Sequence, residues 1–244
     1  MMENEKVSFG ARRGMTKVFG DFRVVEGETD RYAIHEVWER NDYRLRPEYV
    51  RGGIVVDIGA NLGSFSVLCA KLGARLVVAY EPQPETFEAL VENVRSNGVP
   101  GTVETWPSAV VGFAFTGKVR VTGDGGGARA TFQPAGREVP AQAIDDVLDG
   151  LAGAGRIALL KMDCEGGEVE IFRGLTAEKL EGVDRLAMEF HGPKMPHLTD
   201  LDPGLLGPIV VKLSEFGWVE TSGRASTGGM LFWTNYLLGS PSFR

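Results

Sequence analysis

Two stretches of the chain carry side chains whose types and spacing could do chemistry, and each follows a short apolar run. The first is Asp57-Ile58-Gly59-Ala60-Asn61-Leu62-Gly63. Glycines at such a place allow a tight strand-to-helix turn, and they let backbone N–H groups at a helix N-terminus approach a ligand closely. A turn of this kind is common to nucleotide-binding folds, so its companions must say what it holds. Asp57 stands on the strand side of the turn, where a dinucleotide pyrophosphate would meet like-charge repulsion. A ligand with a cationic head is favoured there, and S-adenosylmethionine, with its ammonium and sulfonium, fits better than a nicotinamide dinucleotide. Roughly twenty residues on, Glu81 ends a second apolar run and Pro82 stops it; from that position a carboxylate can accept hydrogen bonds from both ribose hydroxyls. Taken singly, Asp57 is a turn-stabilising carboxylate and Glu81 a solvated strand end; in this order with the glycines, they read as a cofactor site.

The second stretch, Leu160-Lys161-Met162-Asp163-Cys164-Glu165-Gly166-Gly167-Glu168, puts three carboxylates after an apolar strand. That is the edge where open α/β sheets bind ligands. Asp163 and Glu165 face the same side if the chain stays extended, whereas Glu168 belongs in the first turn of the next helix, where the dipole favours it. A further apolar run ends in Glu189-Phe190-His191, one strand over. Alkylating a hydroxyl requires removal of its proton as the bond forms, and Asp163, Glu165 and His191 are the candidates for that base. The group Asp163, Glu165, Glu189 and His191 could instead hold a divalent cation, but no spacing is specific for one and no metal is expected.

These residues need a scaffold, and the texture of the chain from Gly52 onward supplies it. Short β-branched runs alternate with amphipathic segments, the pattern of parallel strands and crossover helices. Strands are expected at Ile54–Ile58, Leu76–Tyr80, Thr102–Trp106, Ala109–Val111, Ile157–Met162 and Val183–Phe190, and helices at Ser64–Leu72, Pro84–Ser96, Ile144–Leu151, Glu168–Leu175 and Pro203–Phe216. Trp218–Thr221 and Met230–Tyr236 can pair as a terminal antiparallel hairpin. The expected fold is α/β, a three-layer sandwich around a mostly parallel seven-stranded Rossmann-like sheet. Residues 52–244 form this domain, with a β-hairpin insertion around 113–139 whose tip is the glycine-rich Gly123–Gly127. Residues 1–51 read as an N-terminal extension or cap, in which Trp38 and Tyr43 anchor the segment or close it over a cofactor pocket.

Composition narrows the function classes. Hydrophobic residues make up 43% of the 244 and charged residues 24%, enough to build a sizeable core. The net charge is −7 and the cationic residues are scattered, which argues against a nucleic-acid partner. Cys69 and Cys164 fit no metal or disulfide spacing. The first ten residues lack a secretory pattern and no run spans a bilayer, so a cytoplasmic protein without a membrane partner is expected. Glycine is in excess, 33 residues, close to double the usual ~7%.

The chain resembles the FkbM family of S-adenosylmethionine-dependent methyltransferases at Val55–Ser66 (VVDIGANLGSFS), Tyr80–Gly98, Pro107–Gly112 (PSAVVG), Leu159–Leu175 (LLKMDCEGGEVEIFRGL) and Met188–Gly192 (MEFHG). Asn61 replaces a glycine of the usual methyltransferase pattern, and sequences of this family commonly read Gly-Ala-Asn there. The resemblance implies methyl transfer to oxygen on a small molecule, natural product or sugar, with S-adenosylhomocysteine as product. By the same resemblance Asp57, Gly59, Ala60, Asn61 and Gly63 meet the methionine part, Glu81 and Pro82 the ribose, and Ser108 and Ala109 the adenine. Asp163 and Glu165 would stand beside the transferring methyl. A nicotinamide-dependent oxidoreductase and a non-catalytic S-adenosylmethionine-binding scaffold are the alternatives, and a homo-oligomer is compatible with the sequence.

Overall fold

Strands rich in Val, Ile and Leu that are buried on both faces form the centre of the molecule, as parallel sheets require. A computed structural model describes residues 6–10, 19–25, 27–112, 117–122, 129–131, 136–190, 206–215, 217–222 and 229–235. The main sheet contains β3 (Ile54–Ile58), β4 (Leu76–Tyr80), β5 (Val103–Trp106), β10 (Ile157–Met162), β11 (Arg185–Phe190), β12 (Gly217–Thr221) and β13 (Gly229–Asn235). Their spatial order is β12-β13-β11-β10-β3-β4-β5. Neighbours from β11 to β5 run parallel, and β13 lies antiparallel to both β11 and β12. The expected terminal hairpin is therefore present. Chain order reverses between β3 and β10, the switch point that opens a ligand crevice outside the C-terminal strand ends.

Successive side chains of a strand point to opposite faces. In β3, Ile54, Val56 and Ile58 join one core cluster, with α5 (Ile144–Leu151), α6 (Glu168–Gly174), α7 (Ala177–Glu181) and α8 (Leu206–Ser214) represented in it. Val55 joins the other cluster, which α3 (Ser64–Lys71) and α4 (Pro84–Ser96) cover. Phe22, Ile34, Trp38, Tyr43 and Leu45 of the N-terminal segment belong to that second cluster too. They come from β2 (Phe19–Arg23), which pairs with β1 (Lys6–Gly10), from α1 (Glu28–His35), from a π-helical turn (Glu36–Arg40) and from the loop before α2 (Pro47–Val50). Trp38 is fully enclosed, edge-on to Phe22, and its indole N–H donates to the Ser64 carbonyl at the start of α3.

The region expected as a hairpin insertion is larger than a hairpin. β7 (Gly117–Thr122) and β8 (Arg129–Thr131) pair antiparallel, and β9 (Arg137–Ala143) and β6 (Ala109–Val111) complete a four-stranded sheet ordered β6-β9-β7-β8. β9 escaped the sequence reading because Pro140 demotes a strand and its inward residues Val139, Ala141 and Ala143 are small. The Gly123–Gly127 tip lies outside the described residues.

Candidate active site

The two-residue strand period decides which charges meet. Val55 and Ala79 sit on the sheet face covered by α3 and the N-terminal segment, so Asp57 and Glu81, two residues on, belong to that face at its C-terminal edge. Leu159 and Ala187 share the face, which brings Lys161, Asp163 and Glu189 to the same edge. Asp57 and Lys161 are register partners on β3 and β10, flanked by Ala79 and Ala187 on the outer neighbours. Two small side chains thus leave room for a charged pair.

That pair is the centre of the site. Lys161 Nζ donates to the Gly59 carbonyl at 2.6 Å. It stands 3.1 Å from Asp57 Oδ1, an ion pair without hydrogen-bond alignment, and 3.7 Å from Asp163 Oδ2. Ser66, from α3, donates to Asp57 Oδ2 at 2.6 Å. Burial opposes the ammonium charge, but Asp57 and then Asp163 outweigh it and hold the Lys161 pKa above its ordinary value. Lys161 lies within a quoted motif, yet the sequence reading assigned it no role. A lysine inside the otherwise apolar IALLKM strand was the available signal, since a buried cation requires a partner. The pairing also corrects one expectation: Asp57 is wholly enclosed and neutralised, so it does not present a bare charge able to repel a pyrophosphate.

The glycine turn is built from alternating left-handed residues, Gly59 (φ 75°), Asn61 (φ 50°) and Gly63 (φ 82°). A Cβ on Gly59 would lie 1.7 Å from the Asp163 carbonyl oxygen, so only glycine lets the two ligand-edge loops touch. Asparagine tolerates the left-handed region better than most residues, which accounts for Asn61 at the middle position. The turn hooks onto β4 through Gly59 and Ala60 N–H bonds to the Tyr80 carbonyl. Asn93, buried on the apolar stripe of α4, donates to the Leu62 carbonyl and also bonds both backbone groups of Arg23, tying turn, helix and N-terminal segment together. The sequence reading missed Asn93; its place on a buried stripe among Ala89, Leu90 and Val94 was the signal.

At the next strand end Glu81 is also buried, but among the described residues no cation forms an ion pair with it. Its Oε2 accepts from Asn61 N at 2.9 Å and its Oε1 from Gln83 N at 2.8 Å. Burial pushes its pKa up from 4.5 to about 7, against the lowering effect of those two N–H groups. Helix α3 starts beside it with no side-chain cap and no acidic residue in its first turn, and among the described residues Asn61 Oδ1 is buried without a hydrogen-bond partner. Pro82 is half-buried. Ser108 is buried between β5 and β6, where its hydroxyl donates to the carbonyl of Ala109, the first residue of β6.

On the far side of the switch point, Asp163 is a quarter exposed and accepts from the Tyr43 hydroxyl at 2.8 Å through Oδ2. Glu189 Oε2 stands 3.4 Å from the same hydroxyl. The chain does not stay extended after Asp163: Glu165 takes a left-handed φ of 53° in a turn with Gly166, so the same-side condition for Asp163 and Glu165 is not met. Glu168 opens α6 as expected, and it also reaches back to accept from Cys164 N and Gly166 N, closing the loop. His191 lies outside the described residues. Among the described residues no group of three or more His, Cys, Asp and Glu side chains gathers as a metal site would, and no helix is long and apolar enough to cross a membrane.

A mostly parallel seven-stranded sheet with an antiparallel last pair, a glycine turn after its first parallel strand and acidic residues at the next strand ends define a Rossmann-like methyltransferase architecture. The family model described as "Methyltransferase FkbM domain" matches residues 57–216, well over half of the chain, and the chain belongs to that family. It is 26% identical over 181 residues to the hexuronic acid methyltransferase AglP of Haloferax volcanii, covering 65% of this chain and 68% of that one. It is 24% identical over 179 residues to methyltransferase 1 of Beauveria bassiana, covering 64% of this chain and 72% of that one. Among solved structures, a methyltransferase FkbM from Methylobacillus flagellatus KT is similar with a TM-score of 0.48 and 16% identity, over 83% of this chain and 53% of that one. Family membership, and no longer the charge of Asp57, is what sets the oxidoreductase alternative aside.

Proposed function

We propose that this methyltransferase uses S-adenosylmethionine and methylates a hydroxyl of a small molecule, natural product or sugar. The observation that carries the reading is the edge around the glycine turn: an uncapped helix N-terminus, a buried amide oxygen without a partner among the described residues, and the carboxylate at the end of the neighbouring strand, which the turn's own N–H meets at 2.9 Å. Those three groups fit the cofactor's carboxylate, ammonium and ribose diol respectively. Each Glu81 oxygen accepts one backbone N–H and retains a lone pair for a ribose hydroxyl. Asp57 acts from behind the turn, by holding Lys161 on the Gly59 carbonyl. When bound, S-adenosylmethionine supplies an electrophilic methyl group on its sulfonium.

The remaining work falls to the other side of the crevice. Asp163 is the base we favour, because it is partly exposed and one of its oxygens is held by the Tyr43 hydroxyl and the Lys161 ammonium. Asp163 would accept the proton that the acceptor hydroxyl must lose as its oxygen takes the methyl group. A sugar acceptor draws support from the hexuronic acid methyltransferase among the relatives.

The test has two arms. Thermal unfolding with S-adenosylhomocysteine at about a hundredfold over its Kd should show the stabilisation of about 2.7 kcal/mol that mass action requires; no shift at saturating concentration rejects the cofactor. Methyl incorporation is then read by product mass across a panel of neutral sugars, hexuronic acids and phenols. Cofactor binding with no product from any hydroxyl compound would reject the O-methyltransferase reading and favour a binding scaffold.

A further inference from the structure

The N-terminal segment contributes one side chain to the crevice edge, and its loop is constructed to aim it. Asn41 and Arg44 on either side of Tyr43 both take left-handed backbone, φ 55° and 51°. The Asn41 side chain grips both backbone groups of Leu45, accepting from its N–H at 2.7 Å and donating to its carbonyl at 3.0 Å. Arg44 lies 4.3 Å over the Phe232 ring and pairs with Glu220 on β12. Tyr43 itself packs edge-on against Phe65 of α3, and Lys161 Nζ lies 5.7 Å from its ring centre. A non-glycine residue in the left-handed region carries strain, on the order of 1 kcal/mol or more, and two of them in four residues persist only where the surroundings hold them. The residue they orient lies 120 positions from its hydrogen-bond partner and outside the 57–216 match, so family membership assigns it nothing.

We infer that Tyr43 is a positioning residue of the reaction centre, which fixes Asp163 Oδ2 together with Lys161 and turns Oδ1 toward the acceptor hydroxyl. This inference rests on the methyl-transfer reading above. Tyr43 has one hydroxyl proton and two carboxylate neighbours, and the shorter distance, 2.8 Å against 3.4 Å, gives that proton to Asp163. Lys161 approaches the same oxygen. One oxygen is thereby held by a neutral donor and a cation, and the other is left for proton transfer. Glu189 faces the hydroxyl from β11, and its charge disfavours a tyrosinate as Asp163 does. Burial and these two carboxylates together hold the Tyr43 pKa well above 10.

The test combines a spectroscopic signature with a kinetic split, both on the full chain. In protein labelled at tyrosine Cζ, with Tyr43 assigned by Tyr43→Phe, the carbon resonance of Tyr43 should stay un-ionised beyond the pH at which exposed tyrosines titrate, about 10. Asp163→Asn should bring its ionisation back toward that value, and Glu189→Gln should do so less. Tyr43→Phe should lower kcat on the order of 10- to 100-fold with glucuronic acid or whichever panel compound is methylated fastest, part of what general-base catalysis supplies. The affinity for S-adenosylhomocysteine should stay within about twofold. Ordinary titration of Tyr43, a larger response to Glu189→Gln than to Asp163→Asn, or an unchanged kcat in Tyr43→Phe would each overturn the assignment. Failure of the wild type to bind S-adenosylhomocysteine rejects the cofactor reading instead, and the bond between Tyr43 and Asp163 is then judged on the titration alone.

Discussion

Adjacent strands of the same sheet end in buried carboxylates that meet the cost of burial in opposite ways. At β3, Asp57 is enclosed with Lys161 and Ser66, and the charge is matched by a charge. At β4, Glu81 has two backbone N–H groups and, among the described residues, no ion-pair partner, and its pKa rises to about 7. The difference follows from the neighbours each strand offers. β3 lies next to β10, whose register places Lys161 opposite Asp57, whereas β4 offers Ala79 there and continues into a turn of backbone donors. A charge-matched carboxylate is a fixed structural element, while one held only by amides remains free to change protonation with pH or with a ligand.

Breaking the matched pair should have the largest effect. Lys161→Met leaves Asp57 buried without its cation, which typically costs about 3–5 kcal/mol, measured by denaturant unfolding at pH 7. Adding Asp57→Asn to that variant should recover much of the loss, because the uncompensated charge is then gone. A double variant no more stable than Lys161→Met alone would mean that Lys161 matters through packing rather than through the pair.

Glu81 should give a smaller effect with a distinctive pH dependence. Its folded pKa lies above the unfolded value, so protonation favours the folded state. That contribution is complete below pH 4.5 and is lost as pH rises through about 7. From the size of the shift, the swing is up to about 3 kcal/mol. Glu81→Gln, which cannot ionise, should therefore gain stability relative to the wild type between pH 4.5 and 8. Parallel stability curves for the two proteins across this range would show that Glu81 is charged throughout. The variant should also bind S-adenosylhomocysteine more weakly at pH 8, where the wild-type carboxylate is the better ribose acceptor.

Much of this contrast was legible along the chain, and the rest was not, for identifiable physical reasons. Asp57, Glu81 and the glycines between them stood out because apolar strands and their helices announce where a parallel sheet ends. The same patterning gave the order of the main-sheet strands from Ile54 to Phe190 and of most of their helices, but not β9 or α7. Lys161 was hidden because its partner is chosen by the register of β10 against β3, a pairing across 102 positions from Lys161 to Gly59. Tyr43 stood out as an anchor of the N-terminal segment or a side chain closing it over a cofactor pocket, but its tie to Asp163 depends on two left-handed residues that local composition does not announce. Glu165 was misjudged because the chain turns at Glu165 itself, with Gly166, instead of staying extended.

Removing the neutral donor on the matched side sharpens the comparison further. Ser66→Ala takes away a 2.6 Å hydrogen bond to a buried carboxylate but leaves Lys161 in place. Loss of a hydrogen bond to a charged group is worth about 1.5–3 kcal/mol, and the remaining cation should keep the effect near the lower end. Thermal or chemical unfolding reads it directly; a loss as large as that of Lys161→Met would mean that the serine, not the lysine, carries Asp57.

The smallest change in stability should come from Asn61, which stands between the two carboxylates. Its N–H donates to Glu81, a bond that any residue except proline can make, while its side-chain oxygen is buried with no partner among the described residues. Asn61→Gly keeps the N–H and suits the left-handed backbone, so stability should change by less than about 1 kcal/mol. The unpartnered oxygen is a different matter. If it accepts from the cofactor's ammonium, its removal should weaken S-adenosylhomocysteine by about 1 kcal/mol, or roughly fivefold in Kd by calorimetry. Stability and affinity would then separate at one residue, with the backbone serving the fold and the side chain serving the ligand. An unaltered Kd would place the ammonium elsewhere and leave Asn61 as a turn former chosen only for its backbone.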